Sequence, residues 1–152
     1  MSGMKNNASK ISLSVQYATD EKAAPTRAQF RRWATAALIK EASVTLRIVD
    51  EIEGRSLNKA YRGKNYATNV LTFVYDESVP LSGDIVLCAP VVEHEARQQH
   101  KDLMMHYAHL TIHAMLHLQG YDHESEADAV VMEALETKLM VKLRYSDPYQ
   151  ED

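Results

Sequence analysis

Three histidines and a glycine share eleven residues in the run HAMLHLQGYDH, His113 to His123. Neutral imidazole is a common ligand for zinc-like ions, so the first question is whether rings at this spacing can reach one ion. On a helix, His113 and His117 stand one turn apart on the same side, and both can. His123 lies six residues beyond His117, and a continued helix would carry it about 600° further round, to the wrong side. Gly120 offers the way out, because glycine takes positive φ at no steric cost and can end the helix and turn the chain back. The pattern H-x-x-x-H-x-x-G-x-x-H thus supplies two ligands from a helix and one from a returning loop. A fourth tetrahedral position is left to water, the mark of a catalytic rather than a closed structural site.

The neighbourhood holds competitors. At about 100° per residue, His106, His109, His113 and His117 all fall within about 80° of one another, so His109 competes with His123 as third ligand. The triple His113, His117 and His123 is preferred because the glycine explains how it closes. His106 and His109 are then expected beside the ligands or lining the core, and His94 and His100 at the surface. Asp122 either hydrogen-bonds an imidazole or serves its own loop. Cys88, as a fourth protein ligand, would close the site and leave the metal structural. The spacing resembles that of the metzincin peptidases, HExxHxxGxxH, in every ligand and in the glycine. Where those enzymes carry a glutamate general base after the first histidine, this chain has Ala114. A methyl group cannot take a proton from water, so a peptidase of that mechanism is not expected.

The elements that must hold these residues are legible in outline. Ile11, Leu13, Val15 and Tyr17 alternate with polar residues, the period of a half-buried strand. Thr26 with Gln29 three residues on has the form of a capping box, and Phe30, Trp33, Ala37 and Leu38 recur at helical spacing, predicting a helix to about Glu41. Val44, Leu46 and Ile48 predict a second strand, and the segment from Arg55 predicts a short helix ending at Gly63. Asn69 to Tyr75 and Asp84 to Cys88 read as two further strands around a turn from Glu77 to Gly83. From Ala89 the pattern is helical, broken near Gln98 to Lys101, with Asp102 capping a helix that reaches Leu118. Ser125 with Asp128 opens a last helix whose apolar stripe is read as Ala127, Val131, Leu135 and Leu139. This order predicts a small mixed sheet with helices packed on it, an α+β or α/β layer fold.

Composition sets the outer limits. With 152 residues, 45% hydrophobic and 25% charged, the chain suits one globular domain, residues 1–152, whose start over residues 1–10 is expected to be flexible. One cysteine, no apolar leader and no run long enough to span a membrane predict a cytoplasmic protein. A net charge of −4 excludes a protein that coats nucleic acid by bulk positive charge, so any anionic partner must be held locally. Arg55, Lys59, Arg62 and Lys64, with no acid among them, are the candidate for that grip, or else a solvated helix face. Acids gather instead at Glu124, Glu126, Asp128, Glu133 and Glu136.

Taken together, HAMLHLQGYDH, LNKAYRGKNYATNVLTF (Leu57 to Phe73) and GDIVL (Gly83 to Leu87) resemble the YbeY family of bacterial rRNA-maturation endoribonucleases. Family members commonly have glycine in place of Ala114 and often proline in place of Val74; neither departure touches a ligand. The resemblance implies a zincin-like α+β fold, with a small mixed sheet of about four strands and five or six helices. It implies one Zn2+ on His113, His117 and His123, and catalytic roles for Arg62, His113 and His117. It also implies single-strand-specific cleavage of RNA, maturation of the 16S rRNA 3′ end and ribosome quality control. Partners implied in the same way are the small ribosomal subunit, one of its proteins and an assembly GTPase. On the residues themselves, Arg62 presents a planar fork matched to phosphate, with Lys59 and Lys64 to steer a backbone and Tyr61 or Tyr66 to stack bases. A ribosome-assembly factor braced by a structural zinc is the main alternative.

Overall fold

A computed structural model describes residues 10–150; the flexible start expected over residues 1–10 lies, Lys10 apart, outside them. In chain order the elements are β1 (Ile11–Ala18), α1 (Arg27–Ala36), β2 (Ala42–Val49), α2 (Glu51–Arg62) and β3 (Val70–Asp76), followed by β4 (Leu81–Cys88), α3 (Ala89–Gln98), α4 (Leu103–Leu118) and α5 (Glu126–Lys142). Four strands and five helices among the described residues make the α+β arrangement that was expected. The strands lie in the order β1-β2-β4-β3, with β1, β2 and β4 parallel and β3 antiparallel to β4 at one edge. Parallel neighbours need long crossovers; α1 provides the first, and α2 with β3 provides the second.

The central strands are buried on both sides, which is why DIVLC reads as an unbroken apolar run rather than an alternation. Ile85 and Leu87 enter the larger core with Phe30 and Trp33 of α1 and Tyr107, Ile112 and Met115 of α4. Val86 and Cys88 enter a smaller cluster on the other face, with Leu71 of β3 and Leu57 of α2. Phe30 meets both Trp33 and Tyr107 edge-on, at centroid distances of 5.7 and 6.2 Å, the arrangement that aromatic quadrupoles favour.

The three anticipated caps form as read: Thr26 with Gln29 as a full capping box, Asp102 accepting from Met105 N, and Ser125 accepting from Asp128 N. Other boundaries move. Helix α1 stops at Ala36, not Glu41, because Gln119 reaches across to bond Ile39 N, Lys40 N and Ala37 O and so fixes the connection into β2. Helix α2 begins at Glu51 rather than Arg55; Asp50 precedes it but gives its carboxylate to Thr19 and Asp20 N, so no side-chain cap marks the start. Strand β4 begins at Leu81, inside the segment read as a turn. On α5 the buried positions are Met132, Glu136 and Met140, whereas Ala127 and Val131 are exposed, so the stripe lies one residue round from the one predicted. No helix among the described residues is long and apolar enough to cross a membrane.

Candidate active site

Helix α4 packs along edge strand β3, and its last turns carry His113 and His117 with ring planes 2° apart and centroids 6.4 Å apart. The helix ends at Leu118, and Gly120 follows in the left-handed region with φ 108°. Bonds from Gly120 N to His117 O and from Tyr121 N to Leu116 O close the turn, both at 3.1 Å. The returning loop brings the His123 ring to 5.4 Å from His113 and 6.5 Å from His117. Three imidazoles on one tetrahedral ion, with metal–nitrogen bonds of about 2.1 Å, have centroids about 5.2 Å apart. The His113–His123 pair already has that spacing, while His117, exposed at the helix end, stands about 1 Å further out. Among the described residues no three donors are already gathered on one point. Closure on an ion therefore requires His117 to draw in by roughly that 1 Å.

The chemistry of the donors fits a divalent metal. His117 donates from Nδ1 to the carbonyl of Tyr121 (3.1 Å), and His113 donates from Nδ1 to Oε2 of Glu136 (2.7 Å). A carbonyl or carboxylate can only accept, so both rings carry their proton on Nδ1 and keep the Nε2 lone pair for a ligand. Glu136 is fully buried on α5 and also receives His109 Nε2 at 2.6 Å and the hydroxyl of Tyr149. Burial pushes its carboxyl up, but the bonds from His109, His113 and Tyr149 outweigh this and hold it at about 2. His109 is thereby turned to Glu136 and does not line the pocket that His113, His117 and His123 share. His106 is buried and bonds Glu95 at 2.9 Å, while His94 and His100 are exposed, as expected. Asp122 accepts from Glu124 N within its own loop. Cys88 sits in the smaller cluster on the opposite face of the sheet, so it does not close the site.

Arg62 joins the histidines. Helix α2 ends at Gly63 in the left-handed conformation (φ 70°), and the chain then passes to β3 with Asn58 Nδ2 bonded to Tyr66 O at 2.7 Å. This path leaves Arg62, Thr68, Asn69, Val70, Leu71 and Thr72 along one wall of a pocket of about 410 Å³. The same pocket is lined by His113, His117, Asp122, His123 and Glu124. Arg62 is exposed and has no side-chain hydrogen bond or ion pair among the described residues, and Lys59, Lys64, Tyr61 and Tyr66 are exposed on the same segment. Asn69 is held from behind by Glu95 at 3.1 Å, which also takes His106; burial raises this carboxyl, and the two bonds bring it below its ordinary value. A larger hollow, about 720 Å³, lies between the start of α4 and Ser146 to Gln150, but it contains none of the three histidines.

Sequence reading missed Glu136 and Glu95. The signal for Glu136 was present: Met132, Glu136 and Met140 recur every fourth residue, which puts a carboxylate on the core face of α5.

A mixed sheet whose antiparallel edge strand lies beside a histidine-bearing helix, with a third histidine returned by glycine, defines a zincin-like α+β protein. The family model described as Endoribonuclease YbeY matches residues 11–144, and the chain belongs to that family. An Endoribonuclease YbeY of Nitrosomonas europaea is 61% identical over 140 residues, covering 92% of this chain and 85% of that one. One from Nitrosomonas eutropha is 60% identical over 137 residues, covering 90% and 97%. The solution structure of TM1509 from Thermotoga maritima is 26% identical and matches with a TM-score of 0.55 over 90% of this chain and 99% of that one. These relatives carry the name endoribonuclease, as does the family to which the chain belongs.

Proposed function

We propose that the chain is a zinc-dependent endoribonuclease that cuts single-stranded RNA in the pocket between β3 and the end of α4. One observation carries this reading: Arg62 of α2, His113 and His117 of α4, and His123 of the following loop line one pocket. His113, His117 and His123 would hold the ion, each through a ring nitrogen. A zinc ion supplies Lewis acidity toward a phosphoryl oxygen and lowers the pKa of water to about 7 in favourable sites. Arg62 grips the scissile phosphate through its planar fork and stabilises the charge that builds on it in the transition state. Lys59 and Lys64 steer the backbone, and Tyr61 and Tyr66 offer faces on which unpaired bases stack. A rigid duplex cannot splay its bases onto such side chains, which gives the preference for single strands.

In the cell we assign this activity to 3′-end maturation of 16S rRNA and to ribosome quality control in the cytoplasm, with residues 1–152 acting as one domain. The small ribosomal subunit, one of its proteins and an assembly GTPase are the partners that the family resemblance brings to this reading. The test is purified protein incubated with single- and double-stranded RNA, with and without chelator, alongside metal analysis. Chelator-sensitive cleavage of single strands is expected. Cleavage that survives His113→Ala combined with His117→Ala would sink the assignment. Cys88 lies in the smaller cluster on the other face of the sheet, which supports the catalytic reading over a zinc that only braces the fold.

A further inference from the structure

Glu136 is a carboxylate with no solvent exposure and with no Lys or Arg partner among the described residues. A buried carboxylate without a cation is strongly disfavoured unless hydrogen bonds replace its water. Here three donors do so, and they are divided between its oxygens. Tyr149 OH and His109 Nε2 both bond Oε1, and His113 Nδ1 alone bonds Oε2. The first two donors fix the plane of the carboxylate, and the remaining oxygen then dictates the ring of His113. Tyr149 is itself anchored: its N–H bonds Asp147 Oδ1 (2.8 Å), which also receives Thr137 Oγ1 (3.2 Å), and Lys101 Nζ bonds Pro148 O (2.9 Å).

We propose that Glu136 is a positioning residue for His113, set in place by His109 and by the C-terminal segment through Tyr149, so that residues far from the HAMLHLQGYDH run determine how well the site holds its metal. Because Oε2 accepts from Nδ1, the His113 ring keeps its lone pair on Nε2 and turns it toward the pocket. A ring freed from Glu136 rotates and populates the tautomer with its proton on Nε2, which cannot ligate. Glutamine in its place has one acceptor oxygen for three donors. If that oxygen serves His109 and Tyr149, its NH2 faces His113 and enforces the wrong tautomer. Removing a partner that orients a ligating histidine weakens metal affinity about 10- to 100-fold.

This inference rests on the metal-site reading above but needs no RNA, so the two can fail separately. Zinc affinity is measured by competition with a chromophoric chelator for the wild type, Glu136→Gln, Tyr149→Phe and, as the reference for a lost ligand, His117→Ala. Glu136→Gln is expected to bind zinc about 10- to 100-fold more weakly, and Tyr149→Phe to fall several-fold in the same direction. Nitrogen NMR of metal-free protein is expected to show neutral His113 protonated on Nδ1 in the wild type and shifted toward the Nε2-protonated form in Glu136→Gln, a shift that a merely structural role for Glu136 would not produce. If Glu136→Gln does not fold, the tautomer and Tyr149→Phe still decide. Zinc binding by Glu136→Gln within twofold of wild type, an Nε2-protonated His113, or an undiminished Tyr149→Phe each overturns the proposal. Tight zinc binding by a protein that leaves RNA intact refutes the nuclease and spares the inference. A wild type that takes up no zinc overturns both.

Discussion

Replacing Gly83 with alanine tests how closely the sheet and α4 are fitted beneath the pocket. Gly83 lies in β4 between Val44 of β2 and Val74 of β3. A Cβ built there meets Leu118 Cδ2 at 3.0 Å and the carbonyl oxygen of Phe73 at 2.7 Å. The leucine can swing away at little cost. The carbonyl belongs to a paired strand, and restoring an ordinary contact requires β3 to retreat by roughly 0.5 Å, the kind of shift that overpacking forces at a cost of about 1–3 kcal/mol. Against this, alanine gains about 0.4–1 kcal/mol by restricting the unfolded chain. The clash wins, and Gly83→Ala is expected to lose about 1–2 kcal/mol net. With a urea slope of about 2 kcal/mol/M, the unfolding midpoint falls by about 0.5–1 M. The same displacement reaches the site, because Val70 to Thr72 of β3 form its wall and Leu118 follows His117. Cleavage should therefore weaken through a raised KM while zinc content stays near one ion. An unchanged or higher urea midpoint would refute the packing argument.

Three further outcomes follow from the same geometry. Asn58→Ala removes the bond to Tyr66 O that holds the segment between α2 and β3; it should cost about 1–3 kcal/mol in urea unfolding, and an unshifted midpoint would show that the segment holds without it. Arg62→Lys keeps the charge but loses the fork, so cleavage should fall by about 10²-fold with melting temperature and metal content unchanged, and full activity would remove Arg62 from the phosphate. Stability should have two flanks in pH. Glu136, held at about 2, and Glu95, held below its ordinary value, contribute stability that is present above about pH 4.5 and lost as pH falls toward 2. Burial pushes the phenols of Tyr107 and Tyr149 up, with Glu136 adding to the rise at Tyr149, so their contribution is present below about pH 10 and lost above it. Thermal melts across pH that show no loss on either side would contradict both assignments.

What could be read from the chain, and what could not, divides along the range of the interactions. His113, His117, Gly120 and His123 were legible because helix pitch and one left-handed residue fix their relation, and all of it happens within eleven residues. The caps at Thr26, Asp102 and Ser125 were legible for the same reason, each being a bond across three residues. The start of α2 was not, since the residue before it, Asp50, serves Thr19 and Asp20 on another segment instead of its own helix. Arg62 could be tied to the histidines only through the family resemblance, because its approach depends on how β3 leads the chain past the end of α4. Glu136 is the extreme case. A count of charges places it only among the acids that gather from Glu124 onward, yet it is fully buried, and its three partners come from α4 and from the C-terminal segment. Local spacing therefore identifies the groups that can bind an ion, and the packing of α5 and the C-terminal segment against α4 determines which nitrogen His113 presents to it.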